Sequence, residues 1–206
     1  MTSSLKEVEL QARENHVPIM LEDGMEFLLS YIREHPWIMK ILECGTAVGW
    51  SAMKMAEVRQ GITIDTLEAD PAMAKQAVNN IRNEKLDDRI FVHLCDAALY
   101  QTNQYYDLFF IDAAKSQYRM YLEHFLPNAY AGSVFVFDNL NFHGMADHPE
   151  LTDNRSTRQM SAKIRKFRES LLQDKRFRVS WRPEIGDGVM TAEFLGHNSL
   201  PEKQNR

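Results

Sequence analysis

Cysteine is scarce in this 206-residue chain, with Cys44 and Cys95 the two present. Two thiols make no disulfide framework, and no Cys-x-x-Cys or Cys/His grouping gives a zinc-ligand spacing. Both read as free thiols, each following a separate strand, in a reducing compartment. The seven histidines are scattered; His143 and His148 share a loop, but nothing beside them completes a tetrahedral site. No apolar run approaches the roughly 18 residues that span a bilayer. The opening residues, MTSSLKEVELQARENH, lack the apolar core and small-residue site of an export signal. A cytoplasmic protein without membrane contact is expected. Neither an internal repeat nor a low-complexity linker divides the sequence, so residues 1–206 are read as one domain.

A net charge of −5 does not by itself point to nucleic acid, but its distribution is uneven. Between Arg155 and Arg182 ten basic residues face only Glu169 and Asp174, so that stretch carries +8 and the rest −13. A locally basic face can recruit a polyanion to an acidic protein.

The apolar residues give the organisation. One helix is expected up to about His16, and a second from Asp23, read as its N-cap, to Glu34, where Phe27, Leu28, Tyr31 and Ile32 recur at helical spacing. Five short apolar runs follow: WIMKILECG, GITIDTLEAD, RIFVHLCDA, YDLFFIDAA and GSVFVFDN. Helical stretches such as SAMKMAEV and PAMAKQAVNNIRNEK separate them. This alternation predicts an α/β fold with a mostly parallel sheet. RFRVSWRPEIGDGVMTAEFL reads as a closing antiparallel hairpin turned through Gly186, Asp187 and Gly188.

In such sheets ligands bind beyond the carboxyl ends of the strands. LECGTAVGWS places Gly45 and Gly49 between a strand and a helix, where backbone can approach a ligand. The three-glycine dinucleotide fingerprint is missing, which disfavours a nicotinamide cofactor. Glu68, at the next strand end, suits the two hydroxyls of a ribose. A nucleoside cofactor without a pyrophosphate fits both features. FFIDAAKSQY and SVFVFDN end on Asp112, with Lys115 close behind, and on Asp138 and Asn139. Two carboxylates and an amide oxygen form a hard, low-count donor set suited to Mg²⁺, with Mn²⁺ as the alternative. Lys115 would reach the same cavity and accept or stabilise the proton of a hydroxyl.

The set ECGTAVGWS, TLEAD, CDAAL, FIDAAKSQY, VFDN and IGDGV, in that order, resembles the cation-dependent O-methyltransferases of the catechol and caffeoyl-CoA type, over nearly the whole chain. The resemblance implies a Rossmann-like S-adenosylmethionine-dependent methyltransferase fold and a homodimer. It implies metal ligation by Asp112, Asp138 and Asn139, and catalysis by Lys115. Cofactor binding falls on Val17, Glu43, Gly45, Ser51, Glu68, Asp96 and Ala97, with Asp112 shared. NHVPIM, GTAVGWSA, VNNIRNEKLDDRI and FIDAAKSQY further resemble the bacterial branch that methylates 5-hydroxyuridine at the tRNA wobble position, giving 5-methoxyuridine. Asp-Ala-Ala-Lys at 112–115 replaces the Asp-Ala-Asp-Lys more frequent among catechol-type members. Cys44, Cys95 and Trp50 depart from residues frequent in the family, and the chain begins later than many relatives.

The expected partner is a tRNA anticodon loop. In TRQMSAKIRKFRESLL, Met160, Ile164, Phe167 and Leu171 fall on one helical face, and Arg158, Lys163, Arg165, Lys166 and Arg168 spread over the rest. Arg155, Arg158, Lys163, Arg165 and Lys166 are the candidate RNA contacts; a solvated amphipathic helix is the plainer reading. The segment from Leu140 to Ser156 is expected to form a lid or recognition loop, with Phe142 and His143 stacking on a ring or anchoring the loop. Rival readings are a catechol-like small-molecule O-methyltransferase, an NAD-dependent oxidoreductase and a non-catalytic RNA-binding domain.

Overall fold

LFFI and VFVF are buried at every position, as strands covered on both faces must be. In the computed structural model, which describes residues 5–196, they are the central strands of one seven-stranded sheet. The strands are β1 (Lys40–Cys44), β2 (Thr63–Glu68), β3 (Ile90–Leu94), β4 (Leu108–Ile111), β5 (Val134–Phe137), β6 (Phe177–Arg182) and β7 (Val189–Phe194). Their order is β3-β2-β1-β4-β5-β7-β6. Strands β1 to β5 pair in parallel, and β7 and then β6 add antiparallel. This is a Rossmann-like methyltransferase fold, as the alternating pattern and closing hairpin predict. Residues 1–4 of the opening stretch lie outside the described residues.

Side chains alternate across the pleat, and the two faces differ in chemistry. Ile41, Ile64, Leu108, Phe110, Val134 and Val136 join a largely aliphatic, methionine-rich core with helices α1 (Leu5–Glu14), α2 (Glu22–Glu34), α3 (Trp50–Glu57) and α4 (Pro71–Asn83). Phe109, Phe135 and Phe137 face the other way, under α5 (Tyr118–Phe125) and α6 (Arg155–Leu172), in a core crowded with rings. Phe109 and Phe135 stack at 4.3 Å, and Phe167 of α6 meets Phe137 edge-on at 4.9 Å. Ile164, Phe167 and Leu171 seat α6 through the apolar face read from its sequence, with Met160 partly buried beside them.

Three local readings change. Asp23 is not the cap of α2. The helix begins one residue earlier, behind Leu21, and the Asp23 carboxylate accepts hydrogen bonds from the Gly24 and Gly186 amides at 3.0 and 2.8 Å. It therefore ties the helix to the hairpin turn. Cys44 is the last residue of β1 rather than a residue after it. Arg168 is buried rather than part of a solvated basic face. Its guanidinium pairs with Asp147, reaches the Leu140 carbonyl at 3.4 Å and lies 5.1 Å from the Trp181 ring. No helix among the described residues is long and apolar enough to cross a membrane.

Candidate active site

Strand order reverses between β1 and β4, so the chain leaves their carboxyl ends in opposite directions and opens a crevice there. The β1–β4 register places Gly45 against Asp112. Gly45 has φ +101°, and a Cβ on it would lie 2.2 Å from the Asp112 carbonyl oxygen. Its missing side chain thus makes room for the neighbouring strand, a tighter requirement than the ligand approach read from sequence. Gly49, at φ +83°, caps α3.

A cavity of about 350 Å³ fills this crevice, with Gly45, Ser51, Glu68, Asp96, Ala97 and Asp112 in its wall. Glu68 accepts hydrogen bonds from the amides of Ala47 and Asp70 at 2.8 and 2.9 Å, so it also holds the glycine turn against the start of α4. Two of the expected contacts stand apart from the wall. Glu43 is wholly buried beneath it, accepting from Ser51 and Thr66 hydroxyls at 2.5 Å each. Val17 packs on the aliphatic core, and its successors Pro18, Ile19 and Met20 form that side of the cavity. Burial raises the Glu43 carboxyl to about 7, against the pull of those two hydroxyls. Thr46, hydrogen-bonded to Thr66 at 2.6 Å, extends this buried polar chain. Neither Thr46 nor Thr66 stands out along the chain, because hydroxyls in a strand and a turn have no distinctive spacing.

A second cavity of about 450 Å³ adjoins the first, sharing Pro18, Ile19, Asp112 and Ala113. Its wall adds Lys115, Asn139, His143 and Asp187. Lys115 Nζ stands 4.0 Å from Asp112 Oδ1. Asp138 is buried just behind this wall. Its Oδ1 accepts from the Asn139 amide at 2.7 Å, its carbonyl accepts from Tyr118 Oη at 2.9 Å, and Oδ2 is buried with no partner. Burial holds both carboxyls above their ordinary range. The charge of Asp112 adds to the effect on Asp138, and Lys115 opposes it on both. Asn139 sits at φ +58° in the left-handed region, which reverses the chain directly after the strand.

An orphaned buried carboxylate oxygen, two carboxyls that disfavour each other's charge and an amide oxygen at one strand edge are what a hard cation would resolve. Among the described residues no group of three or more His, Cys, Asp or Glu is arranged to hold a metal. The fit therefore rests on Asp112, Asp138 and Asn139. Asp187, also in the cavity wall, is engaged by the His143 amide at 2.7 and 3.0 Å.

The segment after Asn139 is tied down rather than free. Leu140 and Asn141 amides bond to Gly188 and Asp187 carbonyls, the Asn141 amide group donates to Pro183, and Asp147 pairs with Arg168. Phe142 packs on the aromatic core, while the His143 ring is 75% exposed. Of the basic candidates, Lys163 and Lys166 share a cleft with Lys115; Arg155, Arg158 and Arg165 lie outside it.

Comparison with known proteins agrees with this architecture. A Staphylococcus aureus protein assigned as a caffeoyl-CoA O-methyltransferase superposes with a TM-score of 0.88 at 26% identity, covering 93% of this chain and 92% of that one. A Bacillus cereus O-methyltransferase in complex with S-adenosylhomocysteine gives a TM-score of 0.77 at 25% identity over 92% and 90%. The tRNA1(Val) (adenine(37)-N6)-methyltransferase of Actinobacillus pleuropneumoniae is 36% identical over 87 residues, a match spanning 42% of this chain and only 36% of that relative's length. The family model for O-methyltransferases matches residues 2–194, and the chain belongs to that family.

Proposed function

We propose that this chain is a cytoplasmic S-adenosylmethionine- and Mg²⁺-dependent O-methyltransferase that converts 5-hydroxyuridine to 5-methoxyuridine at the tRNA wobble position. The observation that carries the reading is that two adjoining cavities meet at Asp112, one walled by the glycine turn and Glu68, the other by Lys115 and Asn139. The Bacillus cereus neighbour with bound S-adenosylhomocysteine supports the cofactor. When bound, the cofactor supplies an electrophilic methyl group, and the divalent cation acidifies an acceptor hydroxyl.

The chain's own residues position and deprotonate. Glu68 orients the ribose, while Gly45 and Ala97 let the cofactor lie close to backbone. Pro18, Ile19 and Met20 exclude water from one side. Asp112, Asp138 and Asn139 would hold the cation, and Lys115 Nζ takes or steadies the proton of the 5-hydroxyl. Catalysis rests on alignment and charge, with no covalent enzyme intermediate. The family resemblance adds a homodimer to the proposal.

The test is nucleoside mass spectrometry of tRNA carrying 5-hydroxyuridine after incubation with protein, S-adenosylmethionine and Mg²⁺. 5-Methoxyuridine should appear, and should vanish with EDTA or in Lys115→Ala. Full conversion in EDTA would sink the reading. The second reading, transfer to a catechol-like phenol, is favoured by likeness to the staphylococcal protein. It takes over if tRNA stays unmodified while the protein binds its cofactor.

A further inference from the structure

Lys115 belongs to two walls. On its far side a cleft of about 310 Å³ runs between residues 115–119 and α6, lined by Lys115, Ser116, Arg119, Lys163, Lys166 and Ser170. Four of the eight residues in its wall are cations, and no carboxylate lines the cleft. Lys163 and Lys166 are three residues apart on one helix, a like-charge spacing that is unfavourable unless an anion sits between them. Both are exposed and lack an ion pair among the described residues.

Five of their eight neighbours in the basic stretch are engaged elsewhere. Arg158 pairs with Asp153, Arg165 with Glu169, Arg168 with Asp147, Arg176 with Asp174 and Glu123, and Arg178 with Glu193. Of the five cations of this segment without an ion pair among the described residues, Lys163 and Lys166 line the cleft beside Lys115 and Arg119, while Arg155, Lys175 and Arg182 lie outside it. Arg119 is steadied at its edge, donating to Ser170 Oγ at 2.7 Å and lying 3.5 Å from Glu123. The floor is firm, since Tyr118 and Phe167 meet edge-on at 5.8 Å.

We propose that this cleft holds one phosphate of the substrate backbone, the phosphodiester beside the nucleoside whose hydroxyl reaches Lys115. The inference rests on the reading that the acceptor is RNA. Lys115 lines both the acceptor cavity and the cleft, so a nucleoside in the first would carry its backbone towards the second. A neutral phenol would leave the cleft unfilled. The phosphates of a coenzyme A thioester share the chemistry, and the test separates the two sources.

The probe is an unmodified heptaribonucleotide of anticodon-loop sequence, bound to the full chain without divalent metal. Binding is followed by fluorescence anisotropy across a salt series, with coenzyme A as competitor. Lys163→Gln/Lys166→Gln should bind about tenfold more weakly, and the slope of log K against log salt should shrink by about 0.7 for each phosphate no longer neutralised. Lys175→Gln, on the same basic stretch but outside the cleft, should bind as wild type. Unchanged affinity and slope in the double variant, an equally weakened Lys175→Gln, or binding of coenzyme A in place of RNA would each overturn the proposal. The outcome is separable from the reaction. A double variant that methylates tRNA with an unaltered KM removes the cleft and leaves the reaction standing; RNA held through these lysines yet never methylated does the reverse.

Discussion

Gly45 and Gly132 share the same positive φ, +101°, in opposite surroundings. At Gly132 an added Cβ would meet nothing within 4 Å; at Gly45 it would lie 2.2 Å from the Asp112 carbonyl oxygen and 2.9 Å from its carbon. Alanine at either site incurs the left-handed penalty, about 1–2 kcal/mol. A carbon–oxygen contact needs about 3.3 Å, so Gly45→Ala must also move the ends of β1 and β4 apart by roughly 1 Å. Overpacking of that kind costs about 1–3 kcal/mol more. At about 2–4 °C per kcal/mol for a chain of this size, Gly45→Ala should melt roughly 2–12 °C below Gly132→Ala. Because the shifted atoms belong to Asp112, methyl transfer should fall about 100-fold in Gly45→Ala and stay near wild type in Gly132→Ala. Scanning calorimetry with single-turnover methylation measures both. Equal melting temperatures and equal rates in the two variants would refute the steric argument.

Three more expectations concern the site and its supports. Glu43, raised by burial to about 7 when folded, adds stability below the unfolded value near 4.5 and loses it as pH climbs through 7, by an amount on the order of 3 kcal/mol. Glu43→Gln should flatten that decline in urea titrations between pH 5 and 8; an unchanged slope would show that Glu43 is not its source. Asp138→Ala removes the buried orphan oxygen, so the rise in Tm on adding Mg²⁺ should disappear along with transfer activity. A full Mg²⁺ shift in that variant would move the cation elsewhere. Arg168→Met cuts the tie to Asp147, whose half exposure limits the cost to about 1–2 kcal/mol. Amide exchange over residues 140–148 should quicken, and unaltered protection there would mean the hydrogen bonds to the hairpin hold the segment alone.

The sheet was legible because each central strand is a short unbroken apolar run ending on a polar residue, and the period changes sharply at Pro36. The site's carboxylates were legible for the same reason, since Asp112 and Asp138 each end such a run. Contacts set by tertiary packing were not. Nothing local distinguishes Arg168 from Arg165 three residues earlier, yet one is buried under the 139–154 segment and the other reaches Glu169 at 4.0 Å. Asp23 had the position of a cap, but besides the adjacent Gly24 amide its carboxylate holds Gly186, 163 residues away. Glu43 and Val17 fall one layer behind the cavity, a distinction of a few ångströms that spacing along a chain does not encode.

The reversal of strand order between β1 and β4 bears on how this protein can change. The turns after β1, β2 and β3 supply most of the first cavity, whereas Asn139, His143, Asp187 and the lysines of α6 all come from β5 onward. Among the described residues only Pro18, Ile19, Asp112 and Ala113 serve both cavities. On the proposed assignment of the second cavity to the acceptor, acceptor preference is a separable trait. Exchanging residues 139–172 for those of another family member should alter which hydroxyl is methylated while leaving cofactor affinity as it was, so one scaffold can acquire new acceptors without relearning its methyl donor.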